Sequence, residues 1–301
     1  MNDIVLQSEI NIEKAKEMFD NLDVAESTRK DYKDRIHVFV KFIEEEGMDV
    51  NTYLKFKRKL AEKRNYSVSS KNKYLIVARI FLKELHRIQV LPVDITSNVK
   101  TFTQDKKHKK EGLTEDEVTR LIERVNHMEL SPRNSRVKAM LSLLLLQGLR
   151  SIEVLRLNIK DVRLVDRVAY IHGKGRDDKE MIHLHPETVK AISQYLKTNK
   201  ISDGPLFVSM SNNAQNKRLG LRGFRKIVKA IFKEVGIEGK APHACRHFFI
   251  TQLIKNYQGD ILEVARYSRH RSLEMLVVYD DSIKMKRDLP RYYRTFKNIK
   301  F

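Results

Sequence analysis

Four segments in the second half of the chain hold unusual polar side chains that could carry chemistry. Arginine, lysine and histidine supply positive charge and hydrogen-bond donors, which suit a negatively charged ligand. In order, the segments are Gly148-Leu149-Arg150-Ser151-Ile152-Glu153, Gly173-Lys174-Gly175, His243-Ala244-Cys245-Arg246-His247, and His270 with Tyr279 nine residues after it.

Each segment also has an ordinary structural explanation when it is taken alone. Arg150 follows the very apolar stretch Ala139 to Leu149, and Glu153 could neutralise it in a structural ion pair. Lys174 lies in a predicted turn, where lysines are common. Tyr279 shares a helical face with apolar neighbours, as a core tyrosine would. The local patterns therefore leave open whether these residues are catalytic or structural.

The spacing of His243 and Arg246 favours an anion site. Pro242 suits the first turn of a helix, and the three-residue spacing puts the two basic side chains on one face. Because the helix dipole already concentrates positive potential at that end, two further cations there suit a negatively charged ligand better than a purely structural role.

The elements that must position these residues are predicted to be mainly helical. In the first hundred residues, apolar residues recur at three- and four-residue spacing in a stretch capped by Ser27-Thr28, in a second from Tyr53 to Lys63, and in a third that begins at the Ser67–Ser70 cluster. A later helix is predicted to start at Thr114, whose side chain would form a capping box with Glu117.

One short antiparallel sheet interrupts the helical pattern of the second part. The β-like runs Val168 to Ile171 and Met181 to Leu184 flank a turn rich in glycine and aspartate that carries Lys174. Helical periodicity then returns, and a helix from Leu273 to Ser282 carries Tyr279. The predicted fold class is mainly α with a small antiparallel β-sheet in the second of two domains.

Positive charges cluster in the first domain and in the segment that follows it. Residues 99–112 have almost nothing apolar after Phe102 and predict a basic linker between the two domains. Charges of one sign favour phosphate contact over an ordinary solvated face. The residues that we expect to make such contacts are Lys55, Arg58, Lys59, Lys71, Lys73, Lys106, Lys107, Lys109 and Lys110.

The composition of the whole chain indicates a polyanionic partner. Among 301 residues, 59 Lys+Arg against 39 Asp+Glu give a formal net charge of +20. Nucleic acid is the commonest polyanion in cells, although charge alone also fits a basic soluble protein or one that touches anionic lipid. The single cysteine, Cys245, excludes an internal disulfide and fits a reducing cytoplasm. The N-terminal residues lack the pattern of a secretory signal and no apolar run is long enough to span a bilayer, so we expect a cytoplasmic protein without a membrane role.

Taken in order, the four segments resemble the tyrosine recombinase family, also called lambda-type integrases, and most closely its compact Xer-like members. The phrases G-L-R-x-x-E, G-K-G in a hairpin, H-x-x-R-H, and a histidine with a tyrosine nine residues later carry the resemblance, which covers essentially the whole chain. It implies a helical core-binding domain at residues 1–98, a basic linker at 99–112, a catalytic domain at 113–286, and a C-terminal tail at 287–301 that packs on a neighbouring protomer.

The resemblance implies a role for each cation of the ordered set. Arg150 and Arg246 would grip the non-bridging oxygens of a scissile DNA phosphate, because the planar guanidinium carries a permanent charge. His243 and His270 would donate hydrogen bonds to the phosphoryl group. Glu153 would brace the region of Arg150.

The resemblance also implies the reaction. Tyr279 would attack phosphorus to leave a 3′-phosphotyrosine, and Lys174 would protonate the departing 5′ oxygen. His243 would assist proton transfer at the nucleophile, and His247 would support the site. The enzyme would act on double-stranded DNA as a tetramer and would use no metal, ATP or other cofactor.

Three positions depart from the pattern of the family. Cys245 stands where its members usually carry leucine, Ser268-Arg269-His270 replaces Leu-Gly-His, and Tyr279-Asp280-Asp281 replaces Tyr-Thr-His. The two aspartates put negative charge beside a nucleophile that must approach a phosphate.

Two other functions fit part of the same pattern. A type IB topoisomerase shares the catalytic layout but relaxes DNA without exchanging partner strands, and the small helical first domain favours a recombinase instead. A catalytically silent DNA-binding protein could keep the scaffold, but it would not need the complete set of polar residues. The sequence leaves open the DNA target and the choice among integration, excision, inversion and dimer resolution.

Overall fold

The computed structural model describes residues 12–104, 112–173, 178–258, 260–270 and 272–295. Over these residues the chain is mainly α-helical with one small antiparallel sheet, which confirms the predicted fold class. The chain divides into two compact units, Met1–Lys106 and Lys107–Phe301, and the division falls inside the segment 99–112 that the sequence predicts as a linker. No helix in the described ranges is long and apolar enough to cross a membrane.

The first unit packs its helices around aromatic side chains. The helices are α1 (Ile12–Met18), α2 (Glu26–Glu46), α3 (Thr52–Glu62) and α4 (Val68–Arg87). Phe39 of α2 packs edge-on against Phe56 of α3 and Phe81 of α4, with ring centroids 4.8 and 6.2 Å apart. Because burial of one such ring contributes about 1.5–3 kcal/mol, these contacts hold the three helices together.

The starts of α2 and α4 show when a capping residue determines where a helix begins. The helix α4 begins at the Ser67–Ser70 cluster as predicted, and Ser67 is its cap, since its Oγ accepts a hydrogen bond from the Ser70 N–H at 3.1 Å. The predicted cap at Ser27-Thr28 is wrong, because α2 begins at Glu26 and its N-cap is Ala25, which has no side-chain acceptor. Contacts with the preceding turn fix this start instead: the guanidinium of Arg29 donates to the backbone carbonyls of Phe19, Leu22 and Val24.

The second unit contains most of the helical residues. Its helices are α5 (Glu115–Asn126), α6 (Pro132–Leu145), α7 (Ser151–Arg156), α8 (Pro186–Asn199), α9 (Leu221–Glu234), α10 (His243–Asn256), α11 (Ile261–Ser268) and α12 (Glu274–Thr295). Thr114 and Glu117 form the predicted capping box at the start of α5. The apolar helix α6 is largely buried and contacts both α8 and α10. The segment that follows α6, which carries Arg150, is therefore anchored in the core.

The sheet of the second unit confirms the predicted hairpin and adds one strand to it. The strands β1 (Val162–Arg163), β2 (Val168–His172) and β3 (Lys179–His183) lie in that order and are antiparallel. Val168 pairs with His183 at one end of the hairpin, and His172 pairs with Lys179 at the other. The turn between β2 and β3, with Lys174, lies outside the described residues.

The last helix is longer than the sequence pattern predicts. The expected helix ended at Ser282, whereas α12 continues to Thr295 and passes the expected start of the tail at residue 287. Apolar contacts hold its first turns, since Leu276 and Tyr279 pack in a cluster with residues of α10 and α11. Beyond that cluster the side chains of Tyr292 and Tyr293 are exposed, so periodic burial stops before the helix does.

Candidate active site

Arg246 links two backbone segments at the centre of the second unit. It lies in the first turn of α10 and is only 2% exposed. Its Nη1 donates to the carbonyl oxygen of Gly148 and its Nη2 to that of Ser268, both at 2.6 Å. Burial, followed by the nearby charges of Arg150 and Arg269, lowers the pKa of Arg246 to about 9. The site therefore holds an excess of positive charge that an anion would relieve.

Arg150 lies at the start of α7 and is braced by Glu153. The Nη1 of Arg150 donates to Oε1 of Glu153 at 2.7 Å, and the backbone N–H of Arg150 donates to Oε2 at 2.8 Å. The carboxylate is 1% exposed, whereas the side chain of Arg150 is 32% exposed. The ion pair that the sequence suggests is present, and part of the Arg150 side chain stays exposed to solvent.

His270 follows α11 and lies close to the arginines. Its Nδ1 is 2.7 Å from Oγ of Ser268. Burial, with the positive charges of Arg246, Arg150 and Arg269, lowers the pKa of His270 to about 3. The imidazole is therefore neutral near pH 7, and when Ser268 donates to Nδ1, the ring proton is on Nε2. A neutral imidazole in that tautomer donates a hydrogen bond without adding charge.

Tyr279 is held by a histidine of α10. The tyrosine is 8% exposed, and its hydroxyl forms a hydrogen bond with Nδ1 of His247. The ring of His247 also packs edge-on against that of His243, with the centroids 4.5 Å apart. His243 is the first residue of α10, so two histidines connect the phenol to the helix terminus that carries Arg246.

The described residues of the predicted catalytic set thus come together from four elements of the second unit. They surround a place where positive charge exceeds negative charge, with the Tyr279 hydroxyl and the imidazoles of His243, His247 and His270 beside it. Such an arrangement can bind an anion, stabilise charge on its oxygens and accept a proton from a nucleophile. The contributors are Arg150 at α7, His243, Arg246 and His247 on α10, His270 after α11, and Tyr279 on α12.

Comparison with known proteins assigns the chain to a family. Residues 111–285 match the phage integrase family. The chain belongs to this family. The tyrosine recombinase XerD of Oceanobacillus iheyensis is 33% identical to the present chain over 223 residues, which cover 71% of this chain and 71% of the relative. The tyrosine recombinase XerD of Listeria innocua is 28% identical over 287 residues, which cover 90% of this chain and 92% of the relative.

Solved structures share the fold of this integrase-family chain. The XerH site-specific recombinase, crystallised with a palindromic difH substrate after cleavage, has a TM-score of 0.71 at 18% identity and covers 88% of this chain and 79% of its own. The Tn1549 transposon integrase in complex with a circular intermediate DNA has a TM-score of 0.67 at 15% identity, with 91% and 99% covered. The family and the fold confirm the tyrosine recombinase predicted from the sequence.

The structure explains how two of the residues that depart from the family's pattern are accommodated. Cys245 is fully buried, and burial raises the pKa of its thiol to about 12, so it packs as a small apolar residue. Asp280, next to Tyr279, is 6% exposed and its carboxylate forms a salt bridge of 2.5 Å with Nζ of Lys284. This pairing offsets the charge of one of the two aspartates that follow Tyr279.

The third departure, Arg269, brings a buried guanidinium into the recombinase site. Its Nη2 lies 3.2 Å from Oε2 of Glu153, so Glu153 is shared between Arg150 and Arg269. In the sequence this arginine stands out only as a substitution in a family phrase. Neither periodicity nor spacing could have shown its partner, because Glu153 is distant in sequence.

The basic residues predicted to contact DNA are only partly available on the surface of the first unit. Lys55 pairs with Asp49 at 2.5 Å, and Lys59 pairs with Glu45 at 2.9 Å. Lys71 donates to the backbone carbonyl of Ala61 at 2.7 Å. Arg58 and Lys73 are exposed. The other predicted contacts lie outside the described residues: Lys106, Lys107, Lys109 and Lys110.

Proposed function

We propose that this recombinase cleaves and rejoins double-stranded DNA at specific sites through a 3′-phosphotyrosine intermediate on Tyr279. The observation that carries the proposal is the convergence of Arg150, Arg246 and His270, with Tyr279 held by the helix that also carries Arg246. Cations suited to one phosphate and a nucleophile suited to attack it therefore occupy one site.

In this proposal the arginines bind the scissile phosphate and His270 completes its hydrogen bonding. Arg150 offers an accessible planar fork of N–H donors to a non-bridging oxygen, while Arg246 supplies a buried charge. Because His270 is neutral, its donated hydrogen bond does not depend on proton uptake near pH 7. These groups stabilise the charge that develops on the equatorial oxygens as the bond to the leaving oxygen breaks.

The covalent step exchanges one phosphate ester for another. The phenol oxygen of Tyr279 bonds to phosphorus as the bond from phosphorus to the 5′ oxygen breaks, and the phenolic proton passes to Nδ1 of His247. The resemblance assigns Lys174 to protonate the 5′ oxygen. Rejoining is the reverse reaction, in which a 5′ hydroxyl attacks the phosphotyrosine, so the bond energy is conserved without ATP.

Side chains alone carry the proposed mechanism, which needs no metal and no small-molecule cofactor. We assign the phenolic proton to His247, since its Nδ1 forms a hydrogen bond with the hydroxyl of Tyr279. We further propose that the enzyme works in the cytoplasm as a tetramer on DNA and serves integration, excision or dimer resolution. The basic residues of α3 and α4 and the basic linker would contact DNA phosphates.

Covalent capture of DNA tests this function and identifies the target site in the same experiment. The protein is incubated with a library of duplexes of random sequence, each nicked so that a cleaved strand diffuses away and the adduct cannot be reversed. Wild-type protein is expected to accumulate DNA-linked protein, and sequencing of the attached strands would give the preferred site. Tyr279→Phe should remove the adduct because it lacks the nucleophile.

Tyr293→Phe provides the matched control, because Tyr293 is an exposed tyrosine on the same helix. This variant should form the adduct at the wild-type rate, and both variants should bind the recovered site as the wild type does. An adduct that persists in Tyr279→Phe would reject the assigned nucleophile.

A further inference from the structure

Arg269 occupies a position that disfavours an arginine. It is the C-cap of α11 and has a φ angle of 55°, in the left-handed region where glycine is preferred. The residue is 8% exposed, and its Nε has no hydrogen-bond partner within the described part of the chain. Backbone strain, burial of a charge and an unsatisfied N–H all act against folding. A compensating interaction is therefore expected.

The compensating interaction is with Glu153. The Nη2 of Arg269 donates to Oε2 of Glu153 at 3.2 Å, and its Nη1 donates to the carbonyl oxygen of Gln147 at 3.3 Å. Burial acts to raise the pKa of Glu153, but the charge of Arg269 and the hydrogen bonds of Arg150 outweigh it, so the pKa lies below its ordinary value. Arg269 thus helps to keep a deeply buried carboxylate ionised.

The contact also divides the two oxygens of Glu153 between two arginines. The side chain of Arg150 reaches Oε1, while Oε2 accepts from the backbone N–H of Arg150 and from Arg269. A guanidinium facing an unshared carboxylate tends to form a bidentate pair that uses two of its nitrogens. With Arg269 and the backbone N–H of Arg150 both on Oε2, the side chain of Arg150 bonds to Glu153 through Nη1 at Oε1.

We propose that Arg269 is a positioning residue of the active site, which shares Glu153 so that the remaining N–H donors of Arg150 stay directed to the phosphate. The inference rests on the proposed function in so far as the site is taken to bind a DNA phosphate. With Arg269 present, Glu153 pairs with two guanidinium groups and the buried charge of Arg246 lies nearby, so positive charge exceeds negative charge and a bound anion would offset part of the excess.

Binding of inorganic phosphate tests this role without DNA. Phosphate affinity is measured by calorimetric titration, and the site is defined as the binding that Arg150→Ala removes. Arg269→Gly should weaken that binding by on the order of tenfold, because Glu153 then competes fully for Arg150 and one charge is lost. Arg269→Lys keeps the charge but not the fork and should recover part of the affinity.

Lys200→Gly is the control for backbone strain. Lys200 is also a helix C-cap, with a φ angle of 52°, but its side chain is exposed at the end of α8. Glycine there should raise the melting temperature and leave phosphate binding unchanged. If Arg269→Gly does the same, the arginine is merely tolerated and the proposal is wrong.

A double-mutant cycle shows whether Arg269 acts through Glu153. In a Glu153→Gln background the carboxylate no longer competes for Arg150, so Arg269→Gly should change phosphate affinity much less than it does in the wild type. An equal change in both backgrounds would overturn the proposal.

Failure of the proposed function can be told apart from failure of this inference. If the wild-type protein binds phosphate through Arg150 but forms no covalent adduct with DNA, the proposed function is wrong while the inference about Arg269 stands. If the wild-type protein forms the DNA adduct and Arg269→Gly keeps the full phosphate affinity and cleavage rate, the inference about Arg269 is wrong while the proposed function stands.

Discussion

At the scale of single residues, the site depends on how buried charges shift one another. Arg246 and His270 both have lowered pKa values because burial and neighbouring cations disfavour another positive charge. For His270 this keeps the imidazole neutral, which suits a hydrogen-bond donor to phosphate. The excess charge is costly without DNA, so the same feature that prepares the site for an anion works against stability.

The neutral state of His270 predicts how stability depends on pH. The folded pKa is about 3, against 6.5 for an ordinary histidine, so between these values the unfolded chain binds a proton that the folded chain does not. Stability should therefore fall as pH falls from 6.5 towards 3. His270→Gln should flatten this decline by at most about 1.4 kcal/mol per pH unit, and by less where water screens the site.

Urea unfolding measured from pH 4 to pH 8 would check this prediction. His127→Gln, which removes an exposed histidine of the same unit, is the control for loss of an imidazole. Parallel pH curves for wild type and His270→Gln would show that His270 is not held neutral by the fold.

At the scale of elements, the turn between α6 and α7 helps to position both Arg150 and Arg246. Gly148 has a φ angle of 58°, and a Cβ atom at this position would lie 2.2 Å from the ring of Phe249. Its carbonyl oxygen also accepts the hydrogen bond from Arg246. The turn is therefore constrained by its backbone conformation, by α10 and by the arginine at once.

Replacing Gly148 with alanine should lower the free energy of unfolding more than replacing a glycine that has similar backbone strain but open space around it. Gly148→Ala combines left-handed strain with overpacking and should destabilise the protein by about 2–5 kcal/mol. Gly236→Ala has a similar φ angle of 71° but nothing within 4 Å of the new Cβ, so it should cost about 1–2 kcal/mol. Denaturant unfolding of both variants measures the difference, and equal losses would contradict the packing argument.

The elements also show how far the sequence could predict the structure. The capping box at Thr114 and the hairpin could be predicted because neighbouring residues determine them. The start of α2 could not, since Arg29 fixes it through contacts with the preceding turn. For the site, motif order predicted which described side chains converge, but the contact of Arg269 with Glu153 depends on segments that only the fold brings together.

At the scale of the whole molecule, the proposed tetramer assigns a role to the end of α12. Tyr292 and Tyr293 are 56% and 63% exposed there, and they lie beyond the cluster that holds Tyr279. Deletion of residues 288–301 should therefore leave the active site intact. If this segment packs on a neighbouring protomer, its loss should impair assembly on paired sites more than binding of one half-site.

The deletion can be tested on the DNA site recovered by covalent capture. Half-site affinity should stay close to that of the wild type, while exchange between two sites should fall by about a hundredfold because linked contacts between protomers are lost. Gel-shift titration and a two-site exchange assay measure the two quantities. A truncated protein that recombines normally would exclude the proposed role of the tail.

The most direct test of the central claim is to locate the covalent bond. Trypsin cleaves after Arg271 and Lys284, so Tyr279 is the only tyrosine in the peptide of residues 272–284, whereas Tyr292 and Tyr293 share another peptide. Mass spectrometry of the DNA adduct after nuclease and trypsin digestion is predicted to find the 3′-linked nucleotide on the Tyr279 peptide. A nucleotide on the peptide of Tyr292 and Tyr293, or on any other residue, would contradict the account.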